Sequence, residues 1–153
     1  MTKPVYVLNG PNLNMLGKRE PAIYGRDTLA DVRARTEARA KTSGMTVDFR
    51  QSNSEGELIG WVQDARDKAA GIIINAGGLT HTSIALLDAL QAAELPVVEV
   101  HLSNIFRREP YRHHSYVSLA ATGVICGLGA KGYELAVEAM ANILAVAAAA
   151  GRG

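Results

Sequence analysis

A chain of 153 residues has the size of one ordinary domain, and 48% hydrophobic side chains are enough to fill its core. Sixteen basic against 15 acidic residues leave a net charge of +1, with no polybasic arm and no acidic tail. That balance argues against nucleic-acid and membrane-surface partners.

The chain opens on Val5-Tyr6-Val7-Leu8, continuously apolar as expected of a parallel strand covered on both faces. The run is too short for a signal segment. Asn9-Gly10-Pro11-Asn12 follows, which by composition alone is an ordinary turn. The loop from Lys18 to Gly25 carries Arg19 and Tyr24. Leu29, Val32, Thr36 and Ala40 recur at helical spacing, and Gly44 stops that helix before a second strand, Thr46 to Phe49. Ser54 with Glu57 reads as a capping box for a helix through Leu58, Val62, Ala65 and Ala69, which Gly71 stops.

Ile72-Ile73-Ile74 is the third strand and ends in Asn75-Ala76-Gly77-Gly78. His81 lies among Thr80, Thr82 and Ser83 at a helix start, where capping is a sufficient explanation. Ile84, Leu87 and Leu90 continue that helix; Asp88 falls one turn after Ile84, near the apolar stripe or solvated. Pro96 starts the fourth strand, Val97 to Val100, which ends in His101-Leu102-Ser103-Asn104. Arg108 and Arg112 come next, then His113 and His114, which as neighbours do not easily share one site. Val124-Ile125 is a fifth apolar strand covered on both faces, and Cys126 beside it is a buried structural thiol. As the only cysteine, it forms no intrachain disulfide. A last helix runs from about Tyr133 through Leu135, Met140, Ile143 and Leu144, and its alanine-rich tail frays over about 147–153. The apolar stretch Ile143 to Ala150 is well short of the ~18 residues of a membrane span. A soluble, cytoplasmic protein is expected.

Five strands alternating with helices predict an α/β fold, a flavodoxin-like doubly wound five-stranded parallel sheet, as a single domain over 1–153. In such sheets ligands bind outside the carboxyl ends of the strands. That rule gathers Asn9 to Asn12, Asn75 to Gly78 and His101 to Asn104 at one edge, with Arg19, Tyr24, Arg108 and Arg112 near it. Arg19 and Arg108 taken singly read as solvated charges. His101 is the strongest position, because it ends an apolar strand at the ligand edge.

Three other chemistries are weighed here. Gly127-Leu128-Gly129-Ala130-Lys131-Gly132 fits G-x-G-x-x-G, but the dinucleotide fingerprint also wants an acidic residue ~20 positions on, at the end of a further strand. None follows Glu138. These glycines are read as letting the last helix turn tightly off the sheet, with a nucleotide-binding module kept as the non-enzymatic alternative. A phospho-receiver domain needs carboxylates where Asn9 and Asn75 stand. Metal catalysis finds no HExxH pattern, cysteine pair or carboxylate-histidine cluster.

From Val5 to about Met140 the sequence resembles the type II 3-dehydroquinate dehydratases. The resemblance rests on LNGPNLNMLGKREPAIYG (8–25), INAGGLTHTS (74–83), EVHLSNI (99–105), YRHHSYVS (111–118) and GVICGLGAKGY (123–133), in that order. Three positions depart from the family's pattern. Ala76 stands where proline is frequent, Phe106 where histidine is, and Pro110 where an acidic residue is. Pro110 bears on how Arg108 and Arg112 are presented.

The resemblance implies dehydration of 3-dehydroquinate through an enolate, without a cofactor or metal, with Tyr24 as base and His101 as acid. A free phenol, with a pKa of ~10, needs cationic neighbours to act as a base near neutrality, and Arg19 and Arg108 are the candidates. Histidine holds and releases a proton near neutrality. Glu99, two residues earlier on the same strand, shares a face with His101 and is placed to orient its ring. By the same resemblance Asn12 holds a water for the enolate oxygen. Leu102 and Ser103 meet the substrate carboxylate through their N–H groups with Asn75 alongside. Arg112, His81 and Asp88 read the ring hydroxyls, Asp88 from a neighbouring subunit. The segment 18–25, between Gly17 and Gly25, is expected to be a lid. The implied assembly is a homo-oligomer, a dodecamer of trimers. Another cofactor-free lyase acting on a related polar acid is the alternative enzyme.

Overall fold

The computed structural model describes residues 2–18 and 20–151. Five strands form one parallel sheet: β1 (Val5–Asn9), β2 (Val47–Gln51), β3 (Gly71–Asn75), β4 (Val97–His101) and β5 (Gly123–Cys126). They lie in the order β2-β1-β3-β4-β5, so the winding reverses between β1 and β3. The doubly wound architecture expected from the alternation is present, and its switch point is where such sheets hold ligands.

The helices follow from the apolar spacing. A single turn, α1 (Pro21–Tyr24), precedes α2 (Leu29–Thr42), α3 (Glu55–Lys68), α4 (Ile84–Ala93) and α5 (Lys131–Gly151). Because strand residues alternate between faces, Val5, Val7, Ile73, Val98 and Val100 pack under α2 and α5. Tyr6, Leu8, Ile72, Ile74 and Val97 pack under α3 and α4. Each large aliphatic side chain enclosed in this way contributes ~1.5–3 kcal/mol relative to exposure.

Several local expectations change. Ser54 accepts from the Glu57 N–H at 3.2 Å, but the reciprocal bond of a capping box is missing there. The neighbouring Glu55 receives the Ser83 hydroxyl, tying α3 to the start of α4. The complete box opens α2, where Thr28 and Asp31 exchange bonds of 2.9 and 3.1 Å. Gly71 does not end a helix: it begins β3, and a Cβ there would lie 2.7 Å from Met140 Sδ. The fifth strand is not covered on both faces. It is an edge strand paired only with β4, so Val124 is 44% exposed and Cys126 is half-buried. At the other end, α5 remains helical through Gly151, and the expected fraying of Arg152 and Gly153 falls outside the described residues. With 21 residues α5 is long and apolar enough to cross a bilayer, yet Tyr133, Ala136, Val137 and Met140 are buried against the sheet.

Candidate active site

The carboxyl ends of β1, β3 and β4 open into a pocket. It is lined by Asn12, Leu13, Met15, Tyr24, Asn75, His81, His101, Leu102, Ser103, Ile105, Arg108 and Arg112, among others. The two loops at the switch point are pressed together. A Cβ on Gly10 would lie 2.3 Å from the Ala76 carbonyl oxygen, and one on Gly77, at φ +59°, would lie 2.8 Å from that of Pro11. Only glycine permits this approach, so the turns after β1 and β3 are built as one unit. Asn12 sits in the left-handed region at φ 72°, and its N–H donates to Asn53 Oδ1 at 2.9 Å. Gln51 Nε2 holds the same turn through the Gly10 carbonyl at 3.2 Å.

On β4 the alternation that buries Val97 also points Glu99 and His101 toward the α3–α4 side. Glu99 is fully enclosed, and His101 is 5% exposed. His101 Nε2 donates to Glu99 Oε2, while Ser115 and Ser118 donate to its two oxygens. Burial pushes the Glu99 carboxyl up, but the hydrogen bonds from His101 and Ser118 outweigh it and hold the group below the usual carboxylate range. A carboxylate only accepts, so Nε2 carries its hydrogen and Nδ1 is the nitrogen left for the pocket.

Of the expected basic residues, Arg108 and Arg112 line the pocket. The Arg108 guanidinium lies 4.9 Å from the Tyr24 ring centroid, and its Nη1 donates to Ser103 Oγ at 3.3 Å. Arg112 Nε donates to Glu109 Oε2 at 2.9 Å, an exposed partner that the sequence did not single out. Pro110 opens the 3-10 turn between these arginines, and both still line the pocket. His81 is not a cap; Ser83 caps α4 through the Leu86 N–H. His81 Nδ1 donates to the His114 carbonyl at 2.8 Å, and burial holds the ring below the usual histidine range. Its neutral form leaves Nε2 as an acceptor. His113 binds the Arg108 carbonyl, His114 stacks edge-on against Tyr116, and neither lines the pocket.

One expected residue among those described is not in this constellation. Asp88 is exposed on α4 and does not line the pocket of its own chain. Arg19 lies outside the described residues. Gly127-to-Gly132 turns α5 off the sheet. Gly127 takes φ +88° with a would-be Cβ 3.0 Å from the Asn104 Cβ, and Gly132 packs on Val100. Among the described residues, no three His, Cys, Asp or Glu side chains group as a metal ion would need.

Sequence reasoning missed a buried supporting layer. Asn9 and Asn75 are register partners on β1 and β3, and the Tyr133 hydroxyl from α5 bridges them. Ser115 and Ser118 behind Glu99 were equally unread. The available signal for Asn9 was an amide directly continuing a strand whose other residues are all apolar.

Comparison with known proteins shows the family. A family model described as "Dehydroquinase class II" matches residues 3–141. A 3-dehydroquinate dehydratase of Caulobacter sp. (strain K31) is 61% identical over 144 residues, covering 94% of this chain and 98% of that one. A 3-dehydroquinate dehydratase 2 of Pseudomonas aeruginosa is 59% identical over 148 residues, covering 97% and 100%. Among solved structures, the type II dehydroquinase of Propionibacterium acnes superposes with a TM-score of 0.88 at 47% identity, over 93% of this chain and 98% of its own.

Proposed function

The chain belongs to the class II dehydroquinases, and from that premise we propose that it dehydrates 3-dehydroquinate to 3-dehydroshikimate in the shikimate pathway. The observation that carries the reading is one pocket holding both Tyr24 and a histidine backed by a buried carboxylate, His101 with Glu99.

The chemistry proceeds by anti elimination through an enolate. Tyr24 takes the proton beside the ketone, and the Arg108 guanidinium over its ring is placed to stabilise negative charge in this corner. Arg19 shares that role from the same loop. The enolate oxygen is met by a water held at Asn12. The enolate then collapses, the C–O bond to the β-hydroxyl breaks, and His101 delivers its Nδ1 proton so that the group leaves as water. Glu99 orients the ring and balances its positive charge. Proton return from Tyr24 to His101 through solvent closes the cycle, and no cofactor enters any step.

The substrate carboxylate sits at the end of β4, on the N–H groups of Leu102 and Ser103, with Asn75 beside them. Arg112 donates to ring hydroxyls and His81 Nε2 accepts from one. Asp88, outside its own pocket, serves the site of a neighbouring subunit, in a dodecamer of trimers. Residues 18–25 act as a lid, pivoting at Gly17 and Gly25, both at φ +85°. The enzyme works in the cytoplasm.

The test is direct. Purified, chelator-treated protein is mixed with 3-dehydroquinate, and the ultraviolet absorption of the conjugated product is followed. Growth of that band is expected. No band, together with tight nucleotide binding, replaces the reading with a binding module.

A further inference from the structure

Four side-chain bonds cross the floor of the pocket in a single direction. Asn9 Nδ2 donates to the Arg50 carbonyl at 2.9 Å, and Asn9 Oδ1 accepts the Tyr133 hydroxyl at 2.6 Å. The Tyr133 oxygen in turn accepts Asn75 Nδ2 at 3.0 Å, and Asn75 Oδ1 accepts the Gly77 N–H at 3.2 Å. Both ends of the chain are backbone groups, and backbone groups cannot reverse. Arg50 offers a carbonyl, which only accepts; Gly77 offers an N–H, which only donates. Each amide between them has one orientation, because turning either would set like atoms against each other at a closed contact.

Tyr133 is the central link. It is fully buried at the start of α5, 58 residues from Asn75 and 124 from Asn9. Its ring is fixed against Phe49, with centroids 6.3 Å apart. We infer that Tyr133 is a positioning residue: together with the Gly77 N–H it holds Asn75 with one N–H spent on the phenol and the other offered to the pocket, which selects an oxygen acceptor, the substrate's carboxylate, at that edge. The inference rests on the dehydratase reading for the identity of that acceptor. Burial pushes the Tyr133 phenol well above its ordinary range, against the opposing effect of the Asn75 bond, so it stays a donor to Asn9 at any working pH.

Asn75 lines the pocket, and in the proposed chemistry the carboxylate it meets does not itself react. Its bond to the carboxylate is therefore the same in the ground and transition states. Removing such a bond raises KM and leaves kcat nearly unchanged. The Tyr133→Phe variant keeps the ring and deletes the link, so KM should rise roughly tenfold with kcat within about twofold. The decisive comparison is a cycle of Tyr133→Phe, Asn75→Ala and the double variant. If Tyr133 acts through Asn75, its effect on KM vanishes in the Asn75→Ala background. An equal KM effect in both backgrounds, or a loss confined to kcat, overturns the inference while leaving the dehydratase reading intact. Absence of turnover in the unaltered enzyme removes the reading and the inference with it.

A second measurement keeps the inference testable if Tyr133→Phe does not fold. In the unaltered protein a slowly exchanging Tyr133 hydroxyl proton should show its nuclear Overhauser contact across to Asn9, with one Asn75 amide proton protected and the other sensitive to substrate. A hydroxyl proton directed at Asn75, or two equivalent Asn75 amide protons, overturns it.

Discussion

Ser118 donates its hydroxyl to Glu99 from 19 residues further along the chain. With Ser115 and His101 it surrounds a carboxylate that has no exposure to solvent. The segment that carries both serines also buries Val117 against the α3–α4 side of the sheet. One short stretch thus seals the strand and satisfies its charge.

That arrangement sets a pH dependence. Hydrogen bonds hold Glu99 below the ordinary carboxylate range, so it stays ionised, and able to steady His101, at pH values where an ordinary carboxyl is already protonated. Ser118→Ala removes one donor and raises the carboxyl, so the acid-side fall of kcat should move to higher pH. The same sign governs stability. A folded-state value depressed below the unfolded one stabilises above the unfolded value, and the gain is lost as pH falls through the folded one. The stability gap between the native protein and Glu99→Gln should therefore shrink below the usual carboxylate range. Overlapping pH–rate curves for native enzyme and Ser118→Ala would contradict this account.

Tyr24→Phe deletes the proposed base and keeps the ring beneath Arg108. Turnover should fall by ~10²–10⁴-fold with binding of a substrate-like inhibitor preserved. Near-normal turnover would move the proton abstraction to another group and empty the loop of its role.

Imine chemistry should be absent. It needs a lysine in an apolar pocket, and Lys3, Lys18, Lys41, Lys68 and Lys131 are all exposed, with none lining the site. Borohydride added with substrate should leave activity intact. A reduced covalent adduct in the mass spectrum would rule out the enolate route.

Ala76 occupies φ −77°, inside the range proline adopts, after the extended residue Asn75. Ala76→Pro should stabilise by ~0.4–1 kcal/mol through the unfolded chain, a rise of about 1–4 °C in Tm. A fall in Tm would mean that the Ala76 N–H is engaged in the native state.

The proposed lid is checked by proteolysis. Cleavage between Gly17 and Gly25 should be suppressed by a saturating substrate-like inhibitor. Equal rates with and without it would leave these residues as an ordinary loop.

How legible all this was depended on range along the chain. Strands and helices were read correctly where apolar spacing is local, and the site edge followed from where the strands end. Glu99 beside His101 needed only the two-residue period of a strand. Strand order is different: nothing in Val124-Ile125 says that one of its edges is unpaired, so β5 and Cys126 were assigned too much burial. Ser54 offered half a capping box with Glu57, and the bond of Glu55 to Ser83, 28 residues away, lies beyond any local spacing. The links from Tyr133 to Asn9 and Asn75 join three elements, and no spacing rule reaches across them.

The contact between Gly10 and Ala76 bears on how this pocket can change. Its width at the switch point is fixed by main chain touching main chain, with no side chain in between to trim. A randomised library should accept new residues along the apolar wall, at Leu13, Met15 and Ile105, and refuse every one at Gly10 and Gly77. Acceptance of a different acid is thus reachable by repainting the walls, and a larger one cannot be admitted by moving them.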